Sequence, residues 1–117
     1  MKRDMEIARK LLLLIEEQDD DSKELIIPQD IDRKVAVYHL NLLDQAGFTD
    51  STIRYADNSP MWIYSSITWD GHEFLDAVKN ETIWNKIKTN VAEKGGSIPF
   101  DVLKLLAVDY AKKLFIG

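Results

Sequence analysis

One amphipathic helix with a clearly marked end, followed at once by a β-hairpin pattern, sets the limits on how this sequence can fold. The helix is expected within DIDRKVAVYHLNLLDQAGF, residues 30–48, where Ala36, Leu40 and Leu43 recur at helical spacing. Gly47 is placed to end it, because glycine takes the left-handed conformation that commonly follows a helix. The chain is therefore expected to pass directly from a helix into β-structure after residue 48.

The hairpin is predicted from STIRYADNSPMWIYSSIT, residues 51–68. Ile53 and Tyr55 alternate with polar residues before DNSP, and Trp62, Ile63, Tyr64 and Ile67 follow it, which together indicate β-strands. Asp, Asn, Ser and Pro are the residue types that turns favour, so DNSP is expected to form the turn.

The remaining elements are predicted from the same kinds of pattern. Before the hairpin we expect a helix over 4–18 capped by Asp4, a short strand LIIP at 25–28, and the helix within 30–48, capped by Asp30 or Asp32. After the hairpin we expect a helix that begins at Thr68, a helix over 82–94, a GGS bend at 95–97 and a helix over 99–115. This order is typical of a winged helix, in which a recognition-type helix precedes the hairpin, or wing.

The fold expected is therefore α+β, a winged-helix-like domain with additional C-terminal helices. Residues 1–117 are expected to form a single domain, with 1–80 as its core and 81–117 as a C-terminal helical extension. The segment between the short strand and the recognition-type helix has room for little more than a turn. The helix-turn-helix is accordingly expected to be abbreviated.

Short blocks of the sequence resemble known families. VAVYHLNLLDQAGF resembles the recognition-helix segment of the arsenic-repressor family, and ITWDGHEFL resembles the strand-to-helix junction of the PadR and MarR repressor groups. A longer resemblance, through MKRDMEIARKLLLLIE, YHLNLLDQAGF, TWDGHEFLDAVKNETIWNKIK and EKGGSIPFDVLKLLA, is to domain-of-unknown-function family 2513, hypothetical proteins of bacteria and phages. That resemblance implies a fold and a genomic milieu, and it implies no reaction.

The composition is that of a soluble globular protein, with 45% hydrophobic and 30% charged residues. No cysteine is present, the N-terminus lacks the pattern of a signal peptide, and the longest apolar run is too short to span a membrane. A cytoplasmic location without a membrane partner is expected. The formal net charge of −5 weighs against nucleic-acid binding, because phosphate contacts supply much of that affinity.

Four residues that can bind metals or protons stand close together in ITWDGHEFLDA: Asp70, His72, Glu73 and Asp76. One histidine and one carboxylate four residues apart do not make a metal site. The spacing fits a helix start better, with Thr68 as the cap and Asp70 at the positive end of the helix. No metal is therefore expected at this segment.

Catalysis is not expected elsewhere either. His39 stands mid-helix without a nucleophile or an orienting partner, so a partly buried, hydrogen-bonded histidine at the hairpin base is expected rather than a general base. The GGS at 95–97 is expected to be a bend rather than a phosphate cradle. The sequence predicts a protein that is not an enzyme and has no cofactor.

A DNA-binding regulator is the first functional hypothesis. Its candidate contact residues are Arg33, Lys34, Val37, Tyr38 and Asn41 on the recognition-type helix and Arg54 in the hairpin. Arginine and asparagine can read guanine and adenine edges, and tyrosine can contact the backbone of double-stranded DNA. The acidic residues Asp30, Asp32 and Asp44 weigh against this hypothesis, and a solvated helix face is the alternative.

A protein-interaction module without DNA binding is the second hypothesis. Trp62 and Tyr64 alternate on one strand, and if exposed they would form a contact patch for a protein partner; the alternative is that they belong to the core. The last helix carries one apolar stripe: Leu103, Leu106, Tyr110 and Leu114. This stripe is expected either to form a homodimer or to close the core of the monomer.

Overall fold

Five helices and one antiparallel hairpin make up the computed structural model, which describes residues 1–93 and 99–116. The elements are α1 Met5–Glu16, α2 Arg33–Gln45, β1 Thr49–Ala56, β2 Ser59–Ile67, α3 Trp69–Val78, α4 Glu81–Glu93 and α5 Phe100–Ile116. The α+β class is confirmed, and the arrangement is consistent with a winged-helix-like fold followed by C-terminal helices. The GGS bend expected at 95–97 lies outside the described residues.

The chain forms two compact units, residues 1–72 and 73–117. The apolar core of the first unit consists of Ala8, Leu11, Leu12, Ile15, Leu25, Ile31, Ala36, Val37, Leu40, Leu43, Phe48 and Ile63. The buried apolar residues of the second unit are Phe74, Leu75, Ala77, Val78, Ile83, Trp84, Ile87, Leu103 and Ala107. The expected single domain with a boundary near residue 80 stays a prediction.

The first two helices begin at aspartate caps. A carboxylate oxygen of Asp4 accepts a hydrogen bond of 2.9 Å from the Glu6 N–H, and one of Asp32 accepts a bond of 2.8 Å from the Lys34 N–H. These bonds satisfy N–H groups that have no partner within the helix. Between the two expected caps of α2, the structure therefore selects Asp32 rather than Asp30.

Helix α2 ends where the sequence predicts. Gly47 has φ +81°, in the left-handed region, and the next N–H, that of Phe48, donates to the carbonyl of Leu43 at 2.9 Å. This bond closes the helix and turns the chain directly into β1. The hairpin consequently starts at Thr49, three residues after Ala46, the C-cap of α2.

The hairpin turns more tightly than expected. Only Asp57 and Asn58 form the turn, with φ 52° and 64°, while Ser59 and Pro60 belong to β2. Two consecutive left-handed residues match the twist of the flanking strands, and Asp and Asn tolerate this conformation. The predicted four-residue DNSP turn is therefore correct in place but too long.

The short strand predicted at LIIP is wrong. The described residues Leu25–Pro28 form no strand, although the Leu25 N–H donates a hydrogen bond of 2.7 Å to the carbonyl of Ile63 in β2. A ladder cannot continue along this segment through Pro28, which has no N–H. Leu25 is buried and the next residue, Ile26, is exposed, so one bond anchors the segment beside β2.

The segment before α2 contains no helix, which agrees with the expectation that it has room for little more than a turn. No helix lies within residues 17–32, all of which the structure describes, and a turn from Ile31 to the carbonyl of Pro28 (3.1 Å) leads into α2. Helix α1 packs against α2 and β2. The first unit thus consists mainly of α1, the recognition-type helix and the wing, together with the start of α3.

Helix α3 starts at the cap predicted for it. The Gly71 N–H donates to the hydroxyl of Thr68 at 3.1 Å. An added Cβ at Gly71 would lie 2.0 Å from the carbonyl oxygen of Phe48, so only glycine allows this close approach. The segment ITWDGHEFLDA thus contains a capped helix start, as predicted.

Candidate nucleic-acid interface

Four polar side chains line the outer face of α2: Lys34, Tyr38, Asn41 and Gln45, called here the α2 stripe. Their spacing of four, three and four residues keeps them within a sector of roughly 60° on the helix. Lys34, Asn41 and Gln45 are exposed and Tyr38 is half-buried. The stripe has hydrogen-bonding groups at every position and no acidic residue.

The opposite face of α2 holds the helix to the core. Ala36, Leu40 and Leu43 are fully buried, as predicted. Val37 is also buried, with 7% of its surface exposed, so the expectation that it reaches DNA is wrong. The stripe is therefore the accessible face of the helix.

Arg33 joins the start of α2 to the wing. Its Nε–H donates to the carbonyl of Pro60 at 2.8 Å, and Nη2 donates to the carbonyl of Met61. Nη2 also lies 3.5 Å from a carboxylate oxygen of Glu24. Much of the hydrogen-bonding capacity of this guanidinium is thus used within the protein, and its predicted contact with DNA stays a prediction.

The carboxylate of Asp44 is directed at the base of the hairpin rather than at the stripe. It accepts hydrogen bonds from the hydroxyls of Thr49 (2.5 Å) and Ser51 (3.0 Å) and from the Ser51 N–H (3.3 Å). The Ser51 hydroxyl also lies 2.8 Å from that of Ser65 on β2. This network fixes the end of α2 to both strands of the wing.

The two other aspartates near α2 also have partners. Asp32 caps the helix, and Asp30 lies 3.9 Å from the Lys10 ammonium in an exposed ion pair. Their negative charge is located at the entry to α2 rather than along the stripe. The three aspartates that count against DNA binding therefore lie outside the α2 stripe, and the middle and end of the stripe carry no negative charge.

The outer face of the wing carries Arg54. In the antiparallel register Arg54 is opposite Trp62, and both side chains are exposed. Met61, which accepts the bond from Arg33, directly precedes Trp62. The structure thus brings Arg54 close to the junction between the wing and the start of α2.

The wing also exposes apolar surface near its tip. The exposed fractions are 57% for Tyr55, 44% for Met61 and 43% for Trp62, while Tyr64 is half-buried. Trp62 is therefore accessible, and the core alternative does not hold for it. Exposed aromatic residues are enriched at contact surfaces between proteins.

His39 is a buried structural residue. It is 1% exposed, its Nδ1 lies 2.8 Å from the Val35 carbonyl, and its Nε2 accepts from the Asp4 N–H at 2.7 Å. The burial and the hydrogen bonds agree with the sequence prediction. The predicted location at the hairpin base is wrong, because His39 joins α2 to the start of α1.

The residues of ITWDGHEFLDA do not converge on one site. His72 is exposed at the edge of a surface depression of about 210 Å³, which Glu16, Gln18 and Asp21 also line. Among the described residues, no group of three or more His, Cys, Asp or Glu side chains is placed to hold a metal ion. Across the same residues, no helix has the length and apolar character needed to cross a membrane.

The predicted dimer stripe on α5 is partly buried within the protein. Leu103 is fully buried, Leu106 and Tyr110 are half-buried, and the side chain of Leu114 lies outside the described residues. The side-chain amide of Asn90 on α4 lies 3.4 Å from the Tyr110 hydroxyl. These positions favour the alternative in which the stripe closes the core, and a homodimer through it stays a prediction.

Sequence reasoning missed Gln45 as a member of the α2 face. The signal was present, because Gln45 continues the spacing from Lys34 through Tyr38 and Asn41 by one helical turn. Gln45 is less obvious as a member of this face because it is the last residue of α2, next to the glycine stop. Among the described residues, no hydrogen bond is made by the side-chain amide of Asn41 or Gln45.

Fold and site together define a small α+β chain in which a helix with a polar exposed face is followed directly by a β-hairpin. The chain belongs to the family described as "Hypothetical protein (DUF2513)", whose profile matches residues 2–97. The family predicted from the sequence is confirmed. A relative described as an uncharacterized protein, from Haemophilus influenzae (strain Rd), is 32% identical over 110 residues, 92% of each chain. No solved structure matches the chain.

Proposed function

We propose that this protein is a non-enzymatic, cytoplasmic DNA-binding regulator of bacterial or phage origin. Helix α2 enters the major groove with Tyr38 and Asn41 toward the DNA, and Lys34 at the start of the helix and Arg54 on the wing each contact a phosphate. The observation that carries the proposal is the α2 stripe, because it is accessible, polar throughout and free of acidic residues. Recognition helices that read base edges present a face of this kind.

The arrangement around the stripe supports the proposal. Asp44 is turned into the hairpin, and Arg33 holds the wing beside the start of α2. Lys34 and Arg54 therefore lie on two elements that the protein fixes to each other. A net charge of −5 is compatible with DNA binding when the local contact face is free of carboxylates.

The test is binding to random duplex DNA at low and moderate salt, measured by fluorescence anisotropy. The Lys34→Ala, Arg54→Ala double variant is compared with a control, Lys23→Ala, Lys86→Ala, which removes the same charge from exposed positions elsewhere. Each lost phosphate contact should flatten the plot of log affinity against log salt by about 0.9. In the double variant the slope should be reduced by up to twice this amount, because two phosphate contacts are removed. The control should keep the slope of the native protein.

Two results would contradict the proposal. The first is no binding of the native protein to duplex DNA at low salt, where non-specific binding is strongest. The second is an equal loss of slope in the test and control variants, since this would mean that total charge alone governs binding.

A protein-interaction module is the second candidate, favoured by the exposed wing residues Tyr55, Met61 and Trp62. In this alternative, Trp62 and the half-buried Tyr64 contact a protein partner and DNA is not bound. Trp62→Ala should then abolish partner capture from a bacterial lysate, whereas Trp69→Ala, a control at another exposed tryptophan, should not. Capture that survives Trp62→Ala, with the fold intact by circular dichroism, would count against this alternative.

A further inference from the structure

We propose that Asn41 and Gln45 act as a pair that reads adenine bases, so that the preferred DNA carries adenines at two nearby positions in one major groove. This inference rests on the proposed DNA-binding function and goes beyond it by naming the bases. Gln45 is the new residue, and it would determine specificity together with Asn41.

The two amides have the geometry that paired base contacts require. Asn41 and Gln45 are both exposed and lie one helical turn apart on the same face of α2. Four residues of helix rise about 6 Å. Successive base pairs are about 3.4 Å apart. A helix lying along the groove would therefore place the two amides over bases one or two steps apart.

The chemistry of the two side chains favours adenine. A primary amide offers one acceptor and one donor group side by side, which match the N6 amino group and the N7 atom of adenine. A guanine offers two acceptors at the same edge and is usually read by arginine. The arginine of this helix, Arg33, is turned toward Pro60 and Met61, so its guanidinium is directed at the wing.

The availability of the two amides supports the same inference. Asn41 and Gln45 make no side-chain hydrogen bond with the described residues, whereas the neighbouring Asp44 makes three to the hairpin. The helix thus has polar side chains of two kinds, one kind used to hold the wing and one kind left toward solvent. A bidentate contact would satisfy both groups of each amide at once.

The experiment starts with selection from a library of random duplexes by the native protein at fixed low salt, followed by sequencing. The enriched duplex is then resynthesised with 7-deazaadenine at each enriched adenine, which removes the N7 acceptor and keeps base pairing. Native protein, Asn41→Ala and Gln45→Ala are compared on both duplexes. Gln29→Ala, an exposed glutamine outside α2, is the matched control.

The expected result is enrichment of adenines at two nearby positions. Gln45→Ala should weaken binding by roughly five-fold to a hundred-fold, the range of one bidentate contact. At one position, 7-deazaadenine should weaken DNA binding by the native protein but should weaken binding by Gln45→Ala little further. At the other position, the same relation should hold between 7-deazaadenine and Asn41→Ala. Gln29→Ala should bind as the native protein does.

Failure of this inference is distinguishable from failure of the proposed function. If the native protein binds no duplex in the library at low salt, both are overturned. If it binds but enriches no adenine, or if Gln45→Ala keeps the native affinity and the native response to 7-deazaadenine, the adenine inference alone is overturned. In that case the amides belong to a solvated helix face.

Discussion

The Nε–H of Arg33 donates a hydrogen bond of 2.8 Å to the carbonyl oxygen of Pro60, across 27 residues of sequence. Its Nη2 donates to Met61, and two residues further along β2 the carbonyl of Ile63 accepts from the Leu25 N–H. These contacts occupy part of the strand edge that faces away from β1. An open strand edge is a template for association with other chains, so Arg33 both positions the wing and shields its edge.

Removal of the Arg33 side chain should destabilise the protein. Arg33→Ala is expected to lower the free energy of unfolding by about 1–2 kcal/mol, because the guanidinium makes charge-assisted bonds to two carbonyls. Arg33→Lys should recover little, since an ammonium cannot reproduce the planar pair of donors. Urea unfolding checks this, with Lys34→Ala as the neighbouring exposed control. Equal stability of Arg33→Ala and Lys34→Ala would show that the contact contributes nothing.

The same arginine has a distinct expected effect on DNA binding. If Arg33 acts by holding the wing, Arg33→Ala should weaken binding while the slope against log salt stays unchanged. Lys34→Ala should reduce the slope by about 0.9, because it removes one phosphate contact. Anisotropy titrations across a salt series separate the two roles. A reduced slope in Arg33→Ala would instead assign it the direct DNA contact that the sequence predicts.

Gly71 should tolerate no side chain. A Cβ there would lie 2.0 Å from the Phe48 carbonyl oxygen and 2.7 Å from Cγ2 of Ile67. That carbonyl also accepts the Thr68 N–H at 3.0 Å, so it cannot move away without losing this bond. Gly71→Ala should lower the free energy of unfolding by about 3 kcal/mol, the cost of a severe steric overlap.

Gly47→Ala is the matched control for crowding. Gly47 has φ +81°, but no described atom lies within 4 Å of an added Cβ. Its substitution should cost only about 1 kcal/mol, from the left-handed backbone alone. Thermal and urea unfolding of the two variants would contradict the steric argument if Gly47→Ala proved the more damaging.

Local features of the fold were predictable from the sequence, because the residues that decide them are neighbours in the chain. Asp4, Thr68 and Gly47 were predicted as two caps and a stop from their spacing to the helices beside them. The strand at LIIP was predicted for the same reason and was wrong. Its apolar composition fits a strand, but only one of its N–H groups reaches β2.

The candidate site was predictable only in part. The polar residues of the exposed α2 face follow from helical periodicity, and Gln45 could have been found by extending it from Asn41. The hydrogen-bond partners of Arg33 and Asp44 could not be predicted from the sequence. Pro60 and Ser51 belong to a hairpin whose position depends on the packed core. From the sequence alone, Arg33 is therefore predicted to be available to DNA, and Asp44 is predicted to repel it.

His39 should exist as one tautomer. Its Nε2 accepts the Asp4 N–H, so the proton must be on Nδ1, where it is donated to the Val35 carbonyl at 2.8 Å. Long-range ¹H–¹⁵N correlation spectra should show the neutral ring of His39 protonated on Nδ1 and not on Nε2. An Nε2-protonated His39 would contradict the contact with Asp4.

Asp44 should stabilise the protein despite being an acidic residue on an acidic chain. Asp44→Ala removes the acceptor of the buried Thr49 hydroxyl and of two Ser51 groups, and should cost about 2–3 kcal/mol, the penalty for unpaired buried polar groups. Asp44→Asn keeps one acceptor oxygen and should lose less. Asp50→Ala on the exposed face of β1 removes the same charge and should change the free energy of unfolding by less than about 0.5 kcal/mol. Urea unfolding of the three variants distinguishes the network from net charge, because equal effects of Asp44→Ala and Asp50→Ala would leave charge as the sole cause.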